Sequence, residues 1–292
     1  MSEEALSGIK LIQRERETSP REAEQSFYPP NNHHFPQNRD QYAGYIVEEL
    51  PYLGIDVYRA GLDLARAQFE LAQLRLRPIN HDPDIPRGDG STVIIGPGFM
   101  GWGRLYQETV KNLKSIGYQA ETYPFYYGVH VEPTESMVDD FLSYLALKKE
   151  ESGAKVNLLL HSKFGHLGYL AHITDPDKFE DSVDQVIDVG SPIPTRVNLV
   201  VGTGYLATQY FFGGNDFKLI ERVGNGEFFR SRNHVRRTAV RIKNDPIIEG
   251  WYPVPLEDQY DAESSHSGAL VFRNNIRFFA QRLARPSLAK AA

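Results

Sequence analysis

No cysteine occurs anywhere in the 292 residues. Thiol catalysis, disulfides and thiolate-ligated metal are therefore excluded, although the absence does not fix the compartment. Positive charge is also short. The 32 Lys and Arg against 38 Asp and Glu leave a formal net charge of −6, without the basic face that a dedicated nucleic-acid binder carries. No apolar run approaches the ~20 residues of a membrane span. The N-terminus, Met1-Ser2-Glu3-Glu4-Ala5, lacks the basic start and apolar core of a signal peptide. The phosphate-loop patterns G-x-x-x-x-G-K-[ST] and G-x-G-x-x-G are not matched in the Gly-rich segment after Ile95. These absences lead to the expectation of a soluble, cytoplasmic protein with no transmembrane segment and no nucleic-acid partner. Oligomeric state is not legible.

What is present can bury a core: 41 % of residues are hydrophobic, with 16 Phe and 16 Tyr. Residues 1–45 are polar and rich in Pro, Asn and His, and are expected to form a poorly ordered arm. His33 and His34 have no third ligand nearby, so a solvated tail is expected there rather than a metal site. Residues 46–80 are expected to be an amphipathic helical segment. Ile55, Tyr58, Leu62, Ala65, Phe69 and Leu76 recur at helical spacing. The polar face mixes Asp and Glu with Arg, which favours packing against the domain over docking on a membrane.

From residue 81 to 286 strand and helix patterns alternate. Val93–Ile95, Tyr118–Tyr123, Val156–Leu160, Val186–Val189 and Thr238–Ile242 read as strands. Arg104–Ile116, a segment capped at Thr134 with Met137, Phe141 and Leu145 inward, Lys163–Ile173 and Gly268–Leu283 read as helices. Such alternation predicts an α/β domain with a mostly parallel central sheet and helices on both faces. Residues 193–237 break the rhythm and carry Tyr205, Tyr210, Phe211, Phe212, Phe217, Phe228 and Phe229. A long aromatic insertion of this kind predicts a cap over a site. A short tail, 287–292, follows the last helix.

Chemistry concentrates where strands end. Ser162 interrupts the apolar run Val156–Leu160 just before a helix, and a hydroxyl there needs a base and an orienting carboxylate to become a nucleophile. Asp245, in Asn244-Asp245-Pro246, follows the fifth strand, and His266 lies in the small-residue loop Ser264-Ser265-His266-Ser267-Gly268. Asp188, inside the fourth strand, is the alternative acid. Gly96-Pro97-Gly98-Phe99-Met100-Gly101 after the first strand can turn sharply enough to aim the Phe99 amide at a developing oxyanion. The amide of Lys163, at a helix N-terminus, is a second donor. His161 reads as a packed neighbour of Ser162, and His166 and His172 as structural. Arg230, Arg232, Arg236, Arg237 and Arg241 read as a solvated, salt-bridged face.

On Pro97-Gly98-Phe99-Met100-Gly101, His161-Ser162-Lys163, Gly190-Ser191-Pro192, Asn244-Asp245-Pro246 and His266-Ser267-Gly268, the chain from about Ser91 to Leu283 resembles an α/β-hydrolase of the lipase/esterase type. The resemblance implies Ser162 as nucleophile, Asp245 as orienting acid, His266 as base, and Phe99 and Lys163 as backbone oxyanion donors. Met100, Tyr205, Tyr210 and Phe211 are the expected substrate contacts. No metal or organic cofactor is required. The expected activity is cleavage of a carboxylic ester or lipid with an apolar acyl group through an acyl-enzyme. The alternatives are an acyltransferase using the same triad and a non-catalytic binding protein on the same fold. The second alternative rests on the elbow itself, where the usual G-x-S-x-G is Leu160-x-Ser162-x-Phe164. Two bulky residues there predict either an opened turn with Ser162 displaced or impaired catalysis, with Gly165 relieving part of the crowding.

Overall fold

A computed structural model describes residues 50–98, 103–124, 137–197, 222 and 235–284. All fall in the second of the two units into which the chain divides. The expectations placed on Thr134, Phe99, Met100, Tyr205, Tyr210, Phe211, Arg230, Arg232, the arm at 1–45 and the tail at 287–292 lie outside the described residues.

Helix α1 spans Leu53–Leu76. The core then alternates: β1 Thr92–Gly96, α2 Gly103–Ser115, β2 Gln119–Thr122, α3 Val138–Ser152, β3 Val156–His161, α4 Lys163–Thr174, α5 Pro176–Ser182 and β4 Val183–Val189. After β5 (Ile193–Val197) come β6 Arg236–Ile242, β7 Ile248–Trp251, β8 Gln259–Ala262 and α6 Arg273–Leu283. Six strands form one sheet in the order β2-β1-β3-β4-β6-β8, and each neighbouring pair is parallel. β5 and β7 make a separate antiparallel pair.

The strands sort their side chains by the period of two that a pleat imposes. Val93, Ile95 and Leu159 join a core with α1, α2 and α6. Ile94, Leu158 and Leu160 join the opposite core with α3, α4 and α5. Both faces are thus covered, as a parallel sheet requires. β1 lies between β2 and β3, so the chain leaves it in one direction toward β2 and later returns to build β3 on the other side. The point where the strand order reverses thus lies between the carboxyl ends of β1 and β3, the place where open α/β sheets bind ligands.

Several elements depart from expectation. The last helix begins at Arg273, not Gly268, because residues 268–272 close turns on the Gly268 carbonyl, with Val271 N at 2.9 Å and Phe272 N at 3.0 Å. β8 is a short polar edge strand with no apolar run to mark it, and α5 is a short helix whose start is set by Asp175 capping Lys178 N at 3.0 Å. Of the cap expected at 193–237, residues 193–197 form β5 and Arg236 and Arg237 begin β6, while 198–221 and 223–234, with Phe212, Phe217, Phe228 and Phe229, lie outside the described residues.

The largest departure is in α1. Ile55, Tyr58, Leu62, Phe69 and Leu76 face solvent, Leu76 at 83 % exposure, whereas Asp56, Asp63, Ala67, Glu70, Leu71 and Leu74 face inward. The helix packs by the face opposite to its apolar stripe. Hydrophobic periodicity could not show this, because the inward face is mixed: Leu71 and Leu74 enter the apolar core, while Asp63 and Glu70 meet the backbone N–H donors of a loop.

Candidate functional site

Ser162 stands between the last residue of β3 and the first of α4, with φ 53° and ψ −122°. A non-glycine residue held there costs about 1–3 kcal/mol and persists only where its surroundings enforce it. Its N–H donates to Val189 O at 2.9 Å, and its carbonyl accepts from Gly165 N at 2.9 Å, so β4 and the first turn of α4 both hold the turn.

Of the two outcomes expected at the elbow, an opened turn with Ser162 displaced is not seen, since Ser162 Oγ stays within 3.1 Å of His266 Nε2. Space for Leu160 and Phe164 comes from glycines elsewhere. A β-carbon on Gly96 would overlap Phe164 and Leu160, and one on Gly168 would overlap Leu160. Gly165, expected to relieve this crowding, packs instead on Ser191. Phe164 is held edge-on to Phe141 at 5.8 Å between ring centroids and tilted against Tyr123 at 5.2 Å.

Asp245 reaches the site through a turn in which Asn244 takes φ 53°. Its Oδ1 accepts from Ile247 N at 2.8 Å and Ile248 N at 3.1 Å, which fixes the carboxylate and leaves Oδ2 for the His266 ring. His266 Nδ1 lies 2.7 Å from that Oδ2, and His266 Nε2 lies 3.1 Å from Ser162 Oγ. The three side chains form one hydrogen-bonded chain. Gly190, at φ 56°, passes the His266 ring so closely that a β-carbon would sit 3.2 Å from Nδ1. Burial on its own would lower the His266 pKa, but the charge and hydrogen bond of Asp245, with the charge of Asp63, raise it above the ordinary 6.5.

Asp188, the alternative acid, is wholly buried and 2.7 Å from Arg237 Nη1, with the Arg237 guanidinium 4.4 Å above the Tyr169 ring. Arg237 therefore belongs to the interior, not to the solvated basic face expected of it. Arg241 does sit half-exposed, paired with Asp261 at 2.6 Å.

On the nucleophile side, Lys163 is the first residue of α4, where amide dipoles favour negative charge. A β-carbon on Gly98 would lie 2.9 Å from Ser162 Cβ, so the turn after β1 closes directly on the serine. Gly98 N donates to Tyr106 Oη at 2.8 Å, Tyr106 Oη lies 3.0 Å from His161 Nδ1, and His161 Nε2 lies 2.9 Å from the His266 carbonyl. A carbonyl only accepts, so Nε2 carries the proton and Nδ1 accepts from the tyrosine. Burial pushes the His161 pKa down to about 3, which keeps this ring neutral.

Sequence reasoning missed Asp63 and Glu70. Both are inward on α1 and bond to the His266 loop: Asp63 Oδ1 accepts from His266 N at 2.6 Å, and Glu70 Oε1 from Ser265 N at 2.9 Å. One signal was available. Asp56, Asp63 and Glu70 recur every seven residues, which keeps all three on one helix face. Among the described residues, no helix is long and apolar enough to cross a membrane.

With this geometry in place, solved structures supply a fold. Lipase B of Aspergillus fumigatus aligns at a TM-score of 0.51 and 14 % identity, over 70 % of this chain and 56 % of that one. A soluble variant of monoglyceride lipase from Saccharomyces cerevisiae, bound to a substrate analogue, aligns at 0.44 and 13 % identity, over 68 % of this chain and 89 % of that one. An extracellular α/β-hydrolase from a Paenibacillus species aligns at 0.44 and 13 %, over 68 % of this chain and 99 % of that one. No family model matches the chain, and no curated protein matches it in sequence. The parallel six-stranded sheet with helices on both faces is the α/β-hydrolase fold.

Proposed function

We propose that the protein is a serine hydrolase that cleaves carboxylic esters with an apolar acyl group. One observation carries this: the hydrogen-bonded chain Ser162–His266–Asp245, with Ser162 in a constrained turn at the start of a helix.

In this mechanism Ser162 Oγ attacks the ester carbonyl carbon while His266 Nε2 takes its proton. Asp245 accepts the Nδ1–H hydrogen bond and stabilises the imidazolium. The carbonyl oxygen becomes an oxyanion, stabilised by the Lys163 amide and by the Phe99 amide; one such donor is worth ~10²–10³ in rate. Collapse breaks the bond to the alkoxide, which leaves as the alcohol with the proton from His266. Water then attacks the acyl-Ser162, gives its proton to His266, and the acid departs as Ser162 regains that proton. The choice of an ester accords with lipase B sharing this fold. The choice of an apolar acyl group rests on the aromatic composition of 193–237, with Met100, Tyr205, Tyr210 and Phe211 assigned as contacts.

Fluorophosphonate labelling of the purified protein, mapped by mass spectrometry, tests the nucleophile. Stoichiometric modification at Ser162, lost in Ser162→Ala, is the expected outcome, followed by turnover of esters graded by acyl length. A folded protein left unlabelled with and without detergent would point to a binding protein on a hydrolase fold.

A further inference from the structure

Three consecutive backbone N–H groups at Ser265, His266 and Ser267 are all bonded to carboxylates of α1. Glu70 Oε1 accepts from Ser265 N at 2.9 Å, and Asp63 accepts from His266 N at 2.6 Å and Ser267 N at 3.0 Å. Glu70 Oε2 also accepts from Ser265 Oγ at 2.6 Å, and that hydroxyl oxygen accepts in turn from Gly268 N at 2.9 Å. Each carboxylate is only 3 % exposed. Burying a carboxylate is costly unless hydrogen bonds replace its water, and here each is met by the loop's donors. Gly268 permits the approach, since a β-carbon there would overlap Glu70 and come within 2.9 Å of Ala67 Cα. Arg66 completes the contact, bonding Glu70 at 3.1 Å and the Glu263 carbonyl at 2.6 Å.

From the opposite side, His161 donates to the His266 carbonyl at 2.9 Å. The backbone of His266 is therefore held at both its N–H and its C=O, while its ring spans Asp245 and Ser162. An apolar helix face would pack a loop without fixing the direction of any amide. Two carboxylates fix three.

We propose that Asp63 and Glu70 are positioning residues for His266: they hold its backbone so that the ring meets Asp245 and Ser162. The negative charge of Asp63 also favours the imidazolium. This rests on the ester-hydrolase function proposed above. The charged and titratable groups facing His266 are Asp245 after β6, Asp63 on α1, His161 at the end of β3 and His166 on α4. Of these, Asp245 and Asp63 favour its protonated form, and the two buried histidines are neutral where His266 titrates.

The experiment uses the full chain and compares Asp63→Asn and Glu70→Gln with the native protein. Arg75→Ala, on the same helix but half-exposed at the surface pair with Glu108, is the control. His266 is titrated by NMR, and Ser162 labelling rate is followed against pH. In Asp63→Asn the His266 pKa should fall, the acid limb of labelling should move to lower pH, and the limiting rate should drop ~10–100-fold, since ~1 Å of misplacement costs that order. In Glu70→Gln the rate should drop with little change in the His266 pKa, because the Asp63 charge remains. Arg75→Ala should track the native protein. A folded Asp63→Asn with native His266 pKa and native rate would overturn the proposal, as would a native rate in Glu70→Gln. Should neither variant fold, amide exchange in the native protein decides. Slow exchange at 265–267 supports the clamp, and fast exchange removes it. An unlabelled native Ser162 combined with a shifted His266 titration in Asp63→Asn would remove the hydrolase function and leave the clamp.

Discussion

A side chain as large as leucine or phenylalanine beside a nucleophilic serine has to find its space in the surrounding residues. Here Leu160 and Phe164 find it where Gly96 and Gly168 lack a β-carbon. The usual small residues of the elbow have in effect been moved outward, onto β1 and the second turn of α4, and Ser162 keeps φ 53°. Compensation of this kind is testable as coupling. Gly168→Ala should destabilise by about 1–3 kcal/mol through overpacking, and Leu160→Ala by about 2–5 kcal/mol through a cavity. The double variant should lose clearly less than the sum, because shortening Leu160 makes room for the added methyl. Urea unfolding of the four proteins measures this, and strict additivity would show that the two positions do not share space. The residues that carry the proposed chemistry were legible one by one. Ser162, Asp245 and His266 each follow an apolar strand or sit in a small-residue loop. Gly96 and Gly168 were not legible, since their role depends on which side chain crosses the sheet to meet them.

Among the elements, β4 and β6 are tied by a buried ion pair as well as by their ladder. Asp188 and Arg237 are 2.7 Å apart, with side chains 0 % and 2 % exposed. Burial raises the Asp188 pKa while Arg237 opposes that rise. Arg237→Met would strand a carboxylate in the interior and should destabilise by about 3–5 kcal/mol. Adding Asp188→Leu should recover much of the loss, because an apolar pair of similar volume leaves no charge behind. Thermal melts of the two variants decide the matter, and a single variant as stable as the native protein would mean that solvent reaches Asp188. The strands themselves could be read from composition, since Val93–Ile95 and Val156–Leu160 are apolar throughout. Helix α1 could be read as a helix but not in its orientation. Its apolar stripe would suit an oil-like partner, yet the surface it meets carries the amides of 265–267. The inward face supplies Leu71 and Leu74 to the core and Asp63 and Glu70 to those amides, and leaving the N–H donors unsatisfied would cost more than burying the outer stripe would gain.

At the scale of the whole molecule, buried histidines set the response to acid. Burial lowers His161 to about 3 and His166 and His172 to about 4, from an ordinary 6.5. A group whose folded pKa is lowered is protonated first in the unfolded chain, so stability falls as pH drops from about 6.5 toward 4. His266 works in the opposite sense. Its folded pKa is raised, so the stability it contributes is present below 6.5 and lost as pH rises through the folded value. The three lowered histidines alone would cost on the order of several kcal/mol by pH 4, while Glu70 and Asp188, whose pKa values burial raises, act with His266 in the opposite sense and offset part of that loss. Melting temperatures followed downward from neutral pH should decline, and a flat profile would mean these rings are hydrated. Activity has a separate limit. A base must be neutral to accept a proton, so Ser162 labelling should slow as pH falls, with its half-maximal rate reached at a pH above 6.5, checked across about pH 5 to 9. The sequence by itself determined the alternation of strand and helix, hence a parallel sheet, and the chain order of serine, acid and histidine, because both follow from local pattern. The tertiary structure alone decided which carboxylate meets His266, where room for Leu160 and Phe164 is found, and which face of α1 turns inward. Each of these depends on groups far apart in the chain competing for the same donors and the same volume.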